Sequence, residues 1–484
     1  LIIDQAEAQK LDMPILAGDT WDSNVVLEAA KGKDIELNVT TFYQEGGNPE
    51  FDNGIKAWIN EDSTAKANNN GNDQIAAVSA MGYDAYFVAL EAIKAAGMKG
   101  MVLTAKHHDG FCLWPSKYTE HSVKNSPCKK DVVREAAEAC KRGGIKFGFY
   151  LSPWDRNASC YGTPEYNDYF CNQLTELLTE YGDIFYVWFD NACGEGLNGR
   201  KQVYDFPRYI ELIRKYQPNA VIFNDFGPDI RWCGNEAGKP RHSEWAVIPS
   251  ELCHLGRVQT GPGPMAEEGS LSWIYNTEQE LGTMPNILYT KGLTFTPTEI
   301  NMSIRPGWFW HLEEEPHSLE RLFTTYLGSV GSNACMHLNL PPNTDGRIDE
   351  RDVKRLKEFG ALLQEEFGTE LDVKIREEES PKTQKVYTIS LKQPADRIRY
   401  VSLREDLTKG QRVEGFRITA QSGSGNQYPL YQGTVIGNRK ICQLQNPFGE
   451  QNPLINDMEG RICQIQVQIT AARDEVFLKD IKIY

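Results

Sequence analysis

The sequence predicts an α/β protein in which a (β/α) barrel of the TIM type is followed by a C-terminal antiparallel β-sandwich. Three observations lead to this fold class. Apolar runs alternate with amphipathic helical patterns from about residue 96 onwards, polar and aromatic residues gather where those runs end, and the pattern changes after about residue 368. We therefore divide the chain into an atypical α/β segment at 1–95, a barrel at 96–368 and a sandwich at 369–484.

The predicted barrel strands are short, nearly continuous apolar runs, at residues 100–105, 145–151, 184–189 and 220–224. Between them, apolar residues recur at helical spacing, at residues 131–142, 166–181 and 209–216. The pattern continues further along the chain, at residues 318–328, 334–340 and 353–367. Apolar strands that alternate with helices indicate a parallel sheet covered on both faces. This many units favour a closed barrel over an open sheet.

The last part of the chain has the pattern of an antiparallel sandwich. Apolar and polar residues alternate in short segments between Gly, Asn and Asp turns, at residues 385–391, 398–403, 463–469 and 476–483. Such alternation is typical of strands with one buried face. The boundary with the barrel lies near residues 370–381, in a charged stretch.

The first 95 residues have a third pattern. Strand-like runs at 13–18 and 35–43 are mixed with helical patterns at 25–30 and 83–96 and with a polar loop at 63–73. No internal repeat is found in the chain.

The composition limits the possible partners and ligands. The 484 residues carry 51 Lys and Arg against 67 Asp and Glu, which gives a formal net charge of −16. Nucleic acid and anionic membranes are poor partners for such a chain, because both attract clustered Lys and Arg. No run of about 18 apolar residues predicts a membrane span. The 11 cysteines form no C-x-x-C pair and so give no sign of a metal site.

Asp190 and two histidines stand where predicted strands end. Asp190 follows the strand at 184–189, so its carboxylate faces the rim where barrel enzymes build active sites. The same position suits an Asp that caps the following turn, and both interpretations stay open. His107 and His108 lack companion metal ligands and are better suited to hydrogen bonding with hydroxyl groups. Trp188 suits either stacking on a sugar ring or packing in the core.

A second acidic group is available in the Gly-rich loop at residues 226–238, which contains Asp229 and Glu236. Glycoside hydrolysis with retention needs two carboxyl groups about 5–5.5 Å apart, one to attack the anomeric carbon and one to protonate the departing oxygen. A general acid in such a loop needs partial burial, for instance beside Trp232, to raise its pKa. Asp190 and Glu236 occupy successive rim positions, which allows this pairing.

Several long motifs resemble the family 29 α-L-fucosidases, in the order of that family and from about residue 96 to 368. The motifs are GMKGMVLTAKHHDGFCLWPSKYTEHSV, FGFYLSPWDRN, VWFDNACGE, GPDIRWCGNEAG, SIRPGWFWH and NLPPNTDGRID. Two segments of the predicted sandwich, QRVEGFRI and YQGTVIGNRKI, are similar to the C-terminal domain of the same family. The GNEAG form resembles the branch-linkage subfamily, which prefers α-1,3/1,4-linked fucose.

This resemblance implies an exo-acting retaining α-L-fucosidase that needs no cofactor and acts on a fucosylated oligosaccharide or glycoconjugate. The family's nucleophile falls on Asp190 and its acid/base on Glu236, with Glu244 as the second choice for the acid/base. His107 and His108 match the fucose-binding histidines. The other substrate-binding residues that the motifs imply are Trp154, Trp188, Arg305 and Trp308.

The first 95 residues depart from the family, because they contain no His where the family has a strand that ends in His-Trp-Gly or His-Phe-Gly. Two of their segments, PILAGDTWDSNVVLEAA and GYDAYFVALEAIKAAG, resemble the periplasmic binding proteins for branched-chain amino acids. A barrel without its first βα unit exposes two strand edges. We therefore expect residues 35–43 to form the first barrel strand and residues 83–96 the first helix, with the loss of one fucose contact.

Two other functions stay open at this point. The missing His favours a fucose-binding protein without catalysis, and the N-terminal resemblance favours an amino-acid-binding module. No basic segment followed by an apolar one stands at residue 1, so a signal peptide was either removed or never present. A periplasmic or secreted location is the expectation.

Overall fold

The structure is a computed structural model, and the residues that it describes are 15–17, 30, 31, 33, 37–39, 49–61, 66, 93–94, 96–127, 129–225, 227–250, 280–288, 290–449 and 461–484. The chain divides into two compact units, one formed largely by residues 1–92 and the other by residues 93–344 and 348–484. The predicted helices at 25–30 and 83–96 and the predicted loop at 63–73 lie largely outside the described residues. Within the described ranges, no helix is long and apolar enough to cross a membrane.

The described part of the first unit contains two short strands and a helix. Strands β1 (Ile15–Ala17) and β2 (Leu37–Val39) pair in parallel, and helix α1 spans Pro49–Glu61. β2 lies inside the predicted first barrel strand at 35–43, but its partner is β1, in a two-stranded sheet. This pairing does not support the assignment of residues 35–43 to the barrel. Helix α1 is an addition to the elements that the sequence predicts.

Parallel strands form the centre of the second unit. Its strands up to residue 339 are β3 (Gly100–Lys106), β4 (Lys146–Leu151), β5 (Tyr186–Trp188), β6 (Val221–Phe223), β7 (Arg231–Trp232), β8 (Val247–Pro249), β9 (Leu293–Phe295), β10 (Thr298–Ser303) and β11 (Ala334–Asn339). Four of them form a parallel sheet in the order β3-β4-β5-β6, and three form another in the order β7-β10-β11. β8 and β9 form a small antiparallel pair.

A parallel bridge between Phe223 and Ile230 joins the two parallel sheets. The described strands therefore give a continuous run of seven parallel strands, from β3 to β11. Most follow the strand positions expected from the sequence, within one or two residues at each end. A closed barrel of this type has eight strands, so closure of the sheet stays a prediction.

Helices alternate with the parallel strands, as expected. They are α2 (Val132–Gly143), α3 (Glu165–Glu180), α4 (Phe206–Tyr216), α5 (Met284–Ile287), α6 (Leu319–Gly328) and α7 (Glu350–Phe367), together with short 3-10 helices at Val123–Asn125 and Leu407–Lys409. Local signals fix their ends. At α2, the Asp131 carboxylate accepts a hydrogen bond from the backbone N of Arg134 at 3.0 Å, and Gly144 closes the helix with a φ of 67°.

The C-terminal part is an antiparallel sandwich, as the sequence predicts. Its strands are β12 (Val373–Glu377), β13 (Val386–Ala395), β14 (Tyr400–Glu405), β15 (Val413–Ser422), β16 (Gln427–Gly433), β17 (Lys440–Gln443), β18 (Ile462–Ala472) and β19 (Leu478–Ile483). They form a five-stranded sheet, β12-β13-β18-β15-β16, and a three-stranded sheet, β17-β14-β19. Apolar residues of both sheets share one buried core, for example Ile418 and Ile465 with Leu403 and Ile483.

Gln411, just before β15, ties the sandwich to the segment that follows β7. Its side chain accepts a hydrogen bond from the backbone N of Ala246 at 2.8 Å and donates one to the backbone O of Glu244 at 3.2 Å. Asn333 Nδ2 donates to the same Glu244 oxygen at 2.8 Å. All four residues are buried, so these bonds satisfy backbone groups that have no access to water.

Candidate active site

The ends of the parallel strands bring most of the predicted site residues to one edge of the sheet. Because the strands run in the same direction, their C-terminal ends lie on the same side. The predicted site residues that follow a strand or lie near its end are His107, His108, Trp154, Trp188, Asp190, Glu236, Arg305 and Trp308. Their contacts show which of them face a common space.

The Asp190 carboxylate is oriented by three neighbours. Its Oδ2 accepts a hydrogen bond from Tyr150 Oη at 2.9 Å and lies 3.8 Å from His108 Nε2. Its Oδ1 accepts from the backbone N of Ala192 at 2.7 Å. One oxygen therefore caps the local turn, and the other is bonded to Tyr150 beside His108. The turn cap is observed, and the catalytic function of Asp190 stays a prediction. The side chain is 26% exposed, and an oriented, accessible carboxylate suits nucleophilic attack.

His108 presents a hydrogen-bond acceptor beside this carboxylate. Its Nδ1 lies 2.7 Å from Ser152 Oγ, and Ser152 Oγ donates its proton to the carbonyl of Trp154 at 2.8 Å. Ser152 therefore accepts from Nδ1–H, which leaves Nε2 of a neutral ring without a proton. Burial lowers the pKa of His108 to about 4, although the charge of Asp190 opposes this effect. The ring is neutral near pH 7, and Nε2 suits a sugar hydroxyl.

Aromatic rings surround the two histidines. The His107 ring centre lies 4.0 Å from that of His108 and stacks on Tyr150 at 5.6 Å. Tyr150 stacks on Trp188 at 5.1 Å, and Trp154 lies 4.8 Å from His108. Burial lowers the pKa of His107 as well. These four predicted residues thus form one cluster with Tyr150, a strand residue that no sequence motif marks as functional.

Trp188 is held by Glu299, a buried residue of β10 that is not among the predicted site residues. Glu299 Oε1 accepts from Trp188 Nε1 at 2.8 Å and lies 3.2 Å from His337 Nδ1, and Tyr186 Oη donates to Oε2. Burial raises the pKa of Glu299, but His337 and the hydrogen bonds outweigh it and keep the pKa below its ordinary value. This charged group is enclosed and supports the indole of Trp188.

Glu236 borders the same region from the other sheet. Trp308 Nε1 donates a hydrogen bond to Glu236 Oε2 at 3.1 Å. The next residue, Phe309, lies edge-on to the His107 ring with centres 5.8 Å apart, and His107 contacts the histidine beside Asp190. Glu236 and Asp190 are thus connected through Trp308, its neighbour in sequence Phe309, and the two histidines.

Glu244, the second choice for the acid/base, is enclosed in a different network. Its side chain is 1% exposed and forms ion pairs with Arg231 at 3.1 Å and Arg241 at 3.5 Å. Thr298 Oγ1 donates to its Oε2 at 2.8 Å. Burial raises the pKa of Glu244, but the two guanidinium charges outweigh this effect and leave the pKa lowered. A buried carboxylate held in its charged form does not suit a proton donor to substrate. Glu236 is accessible, but it is exposed and lacks the partial burial expected of a general acid.

Arg305 is the predicted substrate-binding residue that the structure places away from solvent. Its side chain is fully buried and forms ion pairs with Asp352 at 2.8 Å and Asp349 at 3.2 Å. The guanidinium also donates to the backbone carbonyls of His311 and Glu314. The prediction of a sugar contact is therefore corrected. Arg305 supports the loop that carries Trp308, because Asp352 lies on α7 and the two carbonyls lie on that loop.

We expect Arg305→Met to lower the apparent free energy of unfolding by about 3–5 kcal/mol, because it leaves a buried Asp352 carboxylate without its partner. The matched control is Arg208→Met, which breaks an exposed pair with Asp168 whose side chains are 45% and 67% accessible. That change should cost less than about 1 kcal/mol. Urea denaturation of both variants makes the comparison, and equal losses would contradict a structural function for Arg305.

Asp225 is a further carboxyl group at this edge, at the end of β6. Below it, Asn191 and Asn224 exchange two side-chain hydrogen bonds, of 3.2 and 2.7 Å, and Asn191 also bonds to Asp225. Burial is the main cause that raises the pKa of Asp225 from 3.8 to about 7; the hydrogen bond with Asn191 opposes it, and the charge of Asp190 adds to it. Asp225 therefore holds a proton at mildly acidic pH.

This pKa predicts a pH-dependent effect of Asp225→Asn on stability. Between pH 3.8 and about 7 the unfolded chain has lost this proton and the folded chain keeps it. The stability that Asp225 contributes is therefore largest below pH 3.8 and falls as the pH rises towards 7. The Asn variant lacks this dependence. Its melting temperature should therefore rise relative to that of the native protein as the pH increases from 3.8 to about 7. Thermal melts at several pH values test this, and parallel curves would contradict it.

In the described part of the chain, no group of three or more His, Cys, Asp or Glu side chains is arranged to hold a metal ion.

Asp229, the other acidic residue of the Glu236 loop, pairs with Arg214 at 2.5 Å and accepts a hydrogen bond from the backbone N of Ile222 at 2.8 Å. Asp229 thus anchors the loop to β6.

Known proteins similar to this chain share one family. The chain is 36% identical to α-L-fucosidase 1 of Arabidopsis thaliana over 385 residues, which cover 73% of this chain and 71% of that protein. A Bacteroides ovatus protein of known structure is 39% identical, with a TM-score of 0.70, over 83% of this chain and 66% of that one. A fucosidase from Ruminococcus gnavus, solved in complex with fucose, is 26% identical with a TM-score of 0.67, over 82% of this chain and 85% of that one.

The α-L-fucosidase family model matches residues 64–243 and 202–366. The match begins inside the segment at 1–95, and the comparisons do not support the resemblance of that segment to periplasmic amino-acid-binding proteins. The matched residues include Asp190 and Glu236 and extend over more than half of the chain. This chain therefore belongs to the α-L-fucosidase family of glycoside hydrolases.

Proposed function

We propose that this protein is an exo-acting, retaining α-L-fucosidase that releases terminal α-linked L-fucose from glycans, with Asp190 as nucleophile and Glu236 as acid/base. The observation that carries the proposal is the geometry of Asp190. Its carboxylate lies at the end of β5, accepts from Tyr150 Oη at 2.9 Å, and stands beside the unprotonated Nε2 of His108. Membership of the α-L-fucosidase family supports the same assignment.

In the first step, the Asp190 carboxylate attacks the anomeric carbon of fucose while Glu236 gives its proton to the departing glycosidic oxygen. The bond between fucose and its neighbour breaks, and a covalent fucosyl–Asp190 ester forms. In the second step, Glu236, now ionised, takes a proton from water, and the hydroxide that forms displaces Asp190 from the sugar. Two inversions at the same carbon retain the α configuration.

The surrounding residues have assignable tasks in this scheme. His107 and His108 bind ring hydroxyls, and the neutral state of His108 makes Nε2 an acceptor for a hydroxyl proton. Trp154 and Trp188 provide apolar surface for the sugar. Tyr150 Oη orients Asp190 for attack, because it donates to the oxygen that faces the rim.

The proposal includes a preference for the linkage that joins fucose to the next sugar. The loop at residues 234–238 has the GNEAG form, which supports α-1,3/1,4-linked fucose as substrate. We therefore expect fucose α-1,4-linked to N-acetylglucosamine to be cleaved faster than an α-1,2-linked or simple aryl fucoside.

The stereochemical outcome tests the proposal. Proton NMR during hydrolysis of an α-1,4-fucosylated trisaccharide should show α-L-fucose first, followed by slow mutarotation to the β anomer. A 2-deoxy-2-fluoro-α-L-fucosyl fluoride should leave one fluorofucosyl group on the peptide that contains Asp190, detectable by mass spectrometry. Initial release of the β anomer would contradict retention. Fucose binding without any hydrolysis would favour a non-catalytic fucose-binding protein.

A further inference from the structure

Lys106 is a charged residue that the core encloses completely. It is the last residue of β3 and stands next to His107 in the sequence. Its Nζ donates to Asp155 Oδ2 at 3.1 Å and to Gln173 Oε1 at 2.9 Å, and the side chains of Lys106 and Asp155 are 0% and 1% exposed. Three aromatic rings of α3 have their centres 5.4 to 6.0 Å from the ammonium group, those of Tyr166, Tyr169 and Phe170.

Stability alone is a poor explanation for this buried ion pair. Two charges lose their hydration when they are enclosed, and an uncharged pair of similar volume is often as stable as the ion pair or more stable. In some proteins such pairs are retained because they fix one geometry. The neighbours of Lys106 and Asp155 show which geometry this pair fixes.

Asp155 holds the turn that carries Trp154. Its second oxygen, Oδ1, accepts hydrogen bonds from the backbone N of Asn157 at 2.9 Å and of Ala158 at 2.8 Å. One carboxylate thus binds Lys106 through one oxygen and the loop after β4 through the other. An apolar residue at position 155 could make none of these bonds.

The loop that carries the two histidines lies directly on this turn. The backbone N of Arg156 donates to the carbonyl of His108 at 2.8 Å. Gly110 has a φ of 79°, and a Cβ at this position would overlap Asp155 Oδ1, so the loop approaches the carboxylate too closely for a side chain. The ring centres of His108 and Trp154 are 4.8 Å apart. The ion pair therefore joins the two loops that bring these rings together.

We propose that Lys106 and Asp155 are positioning residues, whose buried ion pair sets the distance between His108 and Trp154 and thereby the affinity of the site for fucose. Neither residue touches the sugar, and the pair acts through the two rings. Because fucose is common to all substrates, the effect should not depend on the leaving group. This inference rests on the proposed function and adds two residues to those that shape its fucose site.

The test removes both charges together, because the loss of one partner leaves the other charge buried and destabilises the protein. Lys106→Met combined with Asp155→Asn keeps the approximate volume and the oxygen that binds the turn. The melting temperature should stay close to the native value. On an α-1,4-fucosylated trisaccharide and on α-L-fucosyl fluoride, which has no leaving sugar, kcat/KM should fall by the same factor, about 10- to 100-fold, as expected when groups that position a substrate are displaced.

The matched control is Lys117→Met combined with Glu180→Gln. This change removes an exposed pair whose side chains are 71% and 39% accessible, and it should alter kcat/KM on neither substrate. Native kcat/KM in the double variant of the buried pair would overturn the proposal.

A second background separates positioning from general support of the fold. In Trp154→Ala protein one of the two positioned rings is absent, so the same double substitution should lower kcat/KM on the fluoride by less than about threefold. A loss as large as in the native background would overturn the proposal. If the double variant does not fold, Gln173→Leu decides. It removes one acceptor of Lys106 Nζ and should lower kcat/KM about 3- to 10-fold on both substrates, the effect of one hydrogen bond, and no loss would overturn the proposal.

Binding of L-fucose keeps the inference separate from the proposed function. In Asp190→Asn protein, calorimetry should show that the double substitution at positions 106 and 155 weakens L-fucose about 10-fold or more, and that the control pair leaves its affinity unchanged. Equal affinities would overturn the inference. Failure of the native protein to hydrolyse either substrate would refute the proposed function, while calorimetry with L-fucose would still decide the inference.

Discussion

Replacement of Asp190 by alanine should lower kcat for a fucosylated trisaccharide by a factor on the order of 10⁴ to 10⁶, the range found when a nucleophilic catalytic unit is broken. The variant loses the group that bonds to the anomeric carbon. The hydroxyl of Tyr150 and the backbone N of Ala192 remain in place, but neither can form the ester. Initial rates of fucose release give the measurement.

The matched control for this variant is Asp109→Ala. Asp109 is an exposed carboxylate on the same edge, next to His108, and it contacts neither Tyr150 nor Ala192 in the bonds that orient the nucleophile. Its removal should leave the rate within about tenfold of the native value, since each factor of ten corresponds to only 1.36 kcal/mol of barrier. Azide should partly rescue Asp190→Ala by attack from the vacated side, with β-L-fucosyl azide as product. Substantial activity of Asp190→Ala without azide would remove Asp190 from the mechanism.

Replacement of Glu236 by glutamine should lower the rate on the same trisaccharide about 10²- to 10⁴-fold, the usual contribution of a positioned acid or base. The amide keeps the shape of the side chain and loses the proton that the leaving oxygen needs. On α-L-fucosyl fluoride the loss of kcat/KM should be much smaller, because fluoride departs without protonation and kcat/KM reports the step that forms the ester. The kcat for the fluoride should still fall, because Glu236 also activates water in the second step. Steady-state kinetics on both substrates give this ratio.

Glu244→Gln provides the comparison that separates the two acidic candidates. Glu244 is buried between Arg231 and Arg241, so its replacement leaves two enclosed guanidinium groups without their partner and should lower stability. In the folded enzyme, Glu244→Gln should change kcat/KM by the same factor on the trisaccharide and on α-L-fucosyl fluoride. A selective loss on the trisaccharide in Glu244→Gln, with none in Glu236→Gln, would exchange the two assignments.

Sequence patterns located most strands and helices of the second unit, because apolar runs and amphipathic spacing report directly on burial. β10 was missed for a physical reason. All six of its residues, Thr298–Ser303, are buried, yet four are polar because they bond to other side chains at the edge of the sheet. Glu299, for instance, holds Trp188 and Tyr186. A pattern that equates burial with apolar character cannot find such a strand.

The sequence likewise predicted some residues of the candidate site and missed others. Motif resemblance located Asp190, Glu236 and the two histidines, which have contacts consistent with a shared site. The motif resemblance also included Arg305 among the substrate-binding residues. A residue can belong to a motif because it contacts the sugar or because it supports the loop, and the sequence does not distinguish these two cases. Tyr150 was missed because it stands in an apolar strand and only its hydroxyl reaches Asp190.

The contacts of Gln411 have a consequence for the modularity of this enzyme. The backbone groups of Glu244 and Ala246 have their hydrogen-bond partners in a side chain that precedes β15. A catalytic fragment that ended near residue 368 would leave the backbone N of Ala246 without this partner, while the carbonyl of Glu244 would keep its bond from Asn333. The sandwich thus supplies hydrogen bonds to the segment that follows the proposed acid/base, and exchange of this domain between relatives should preserve the Gln411 contact.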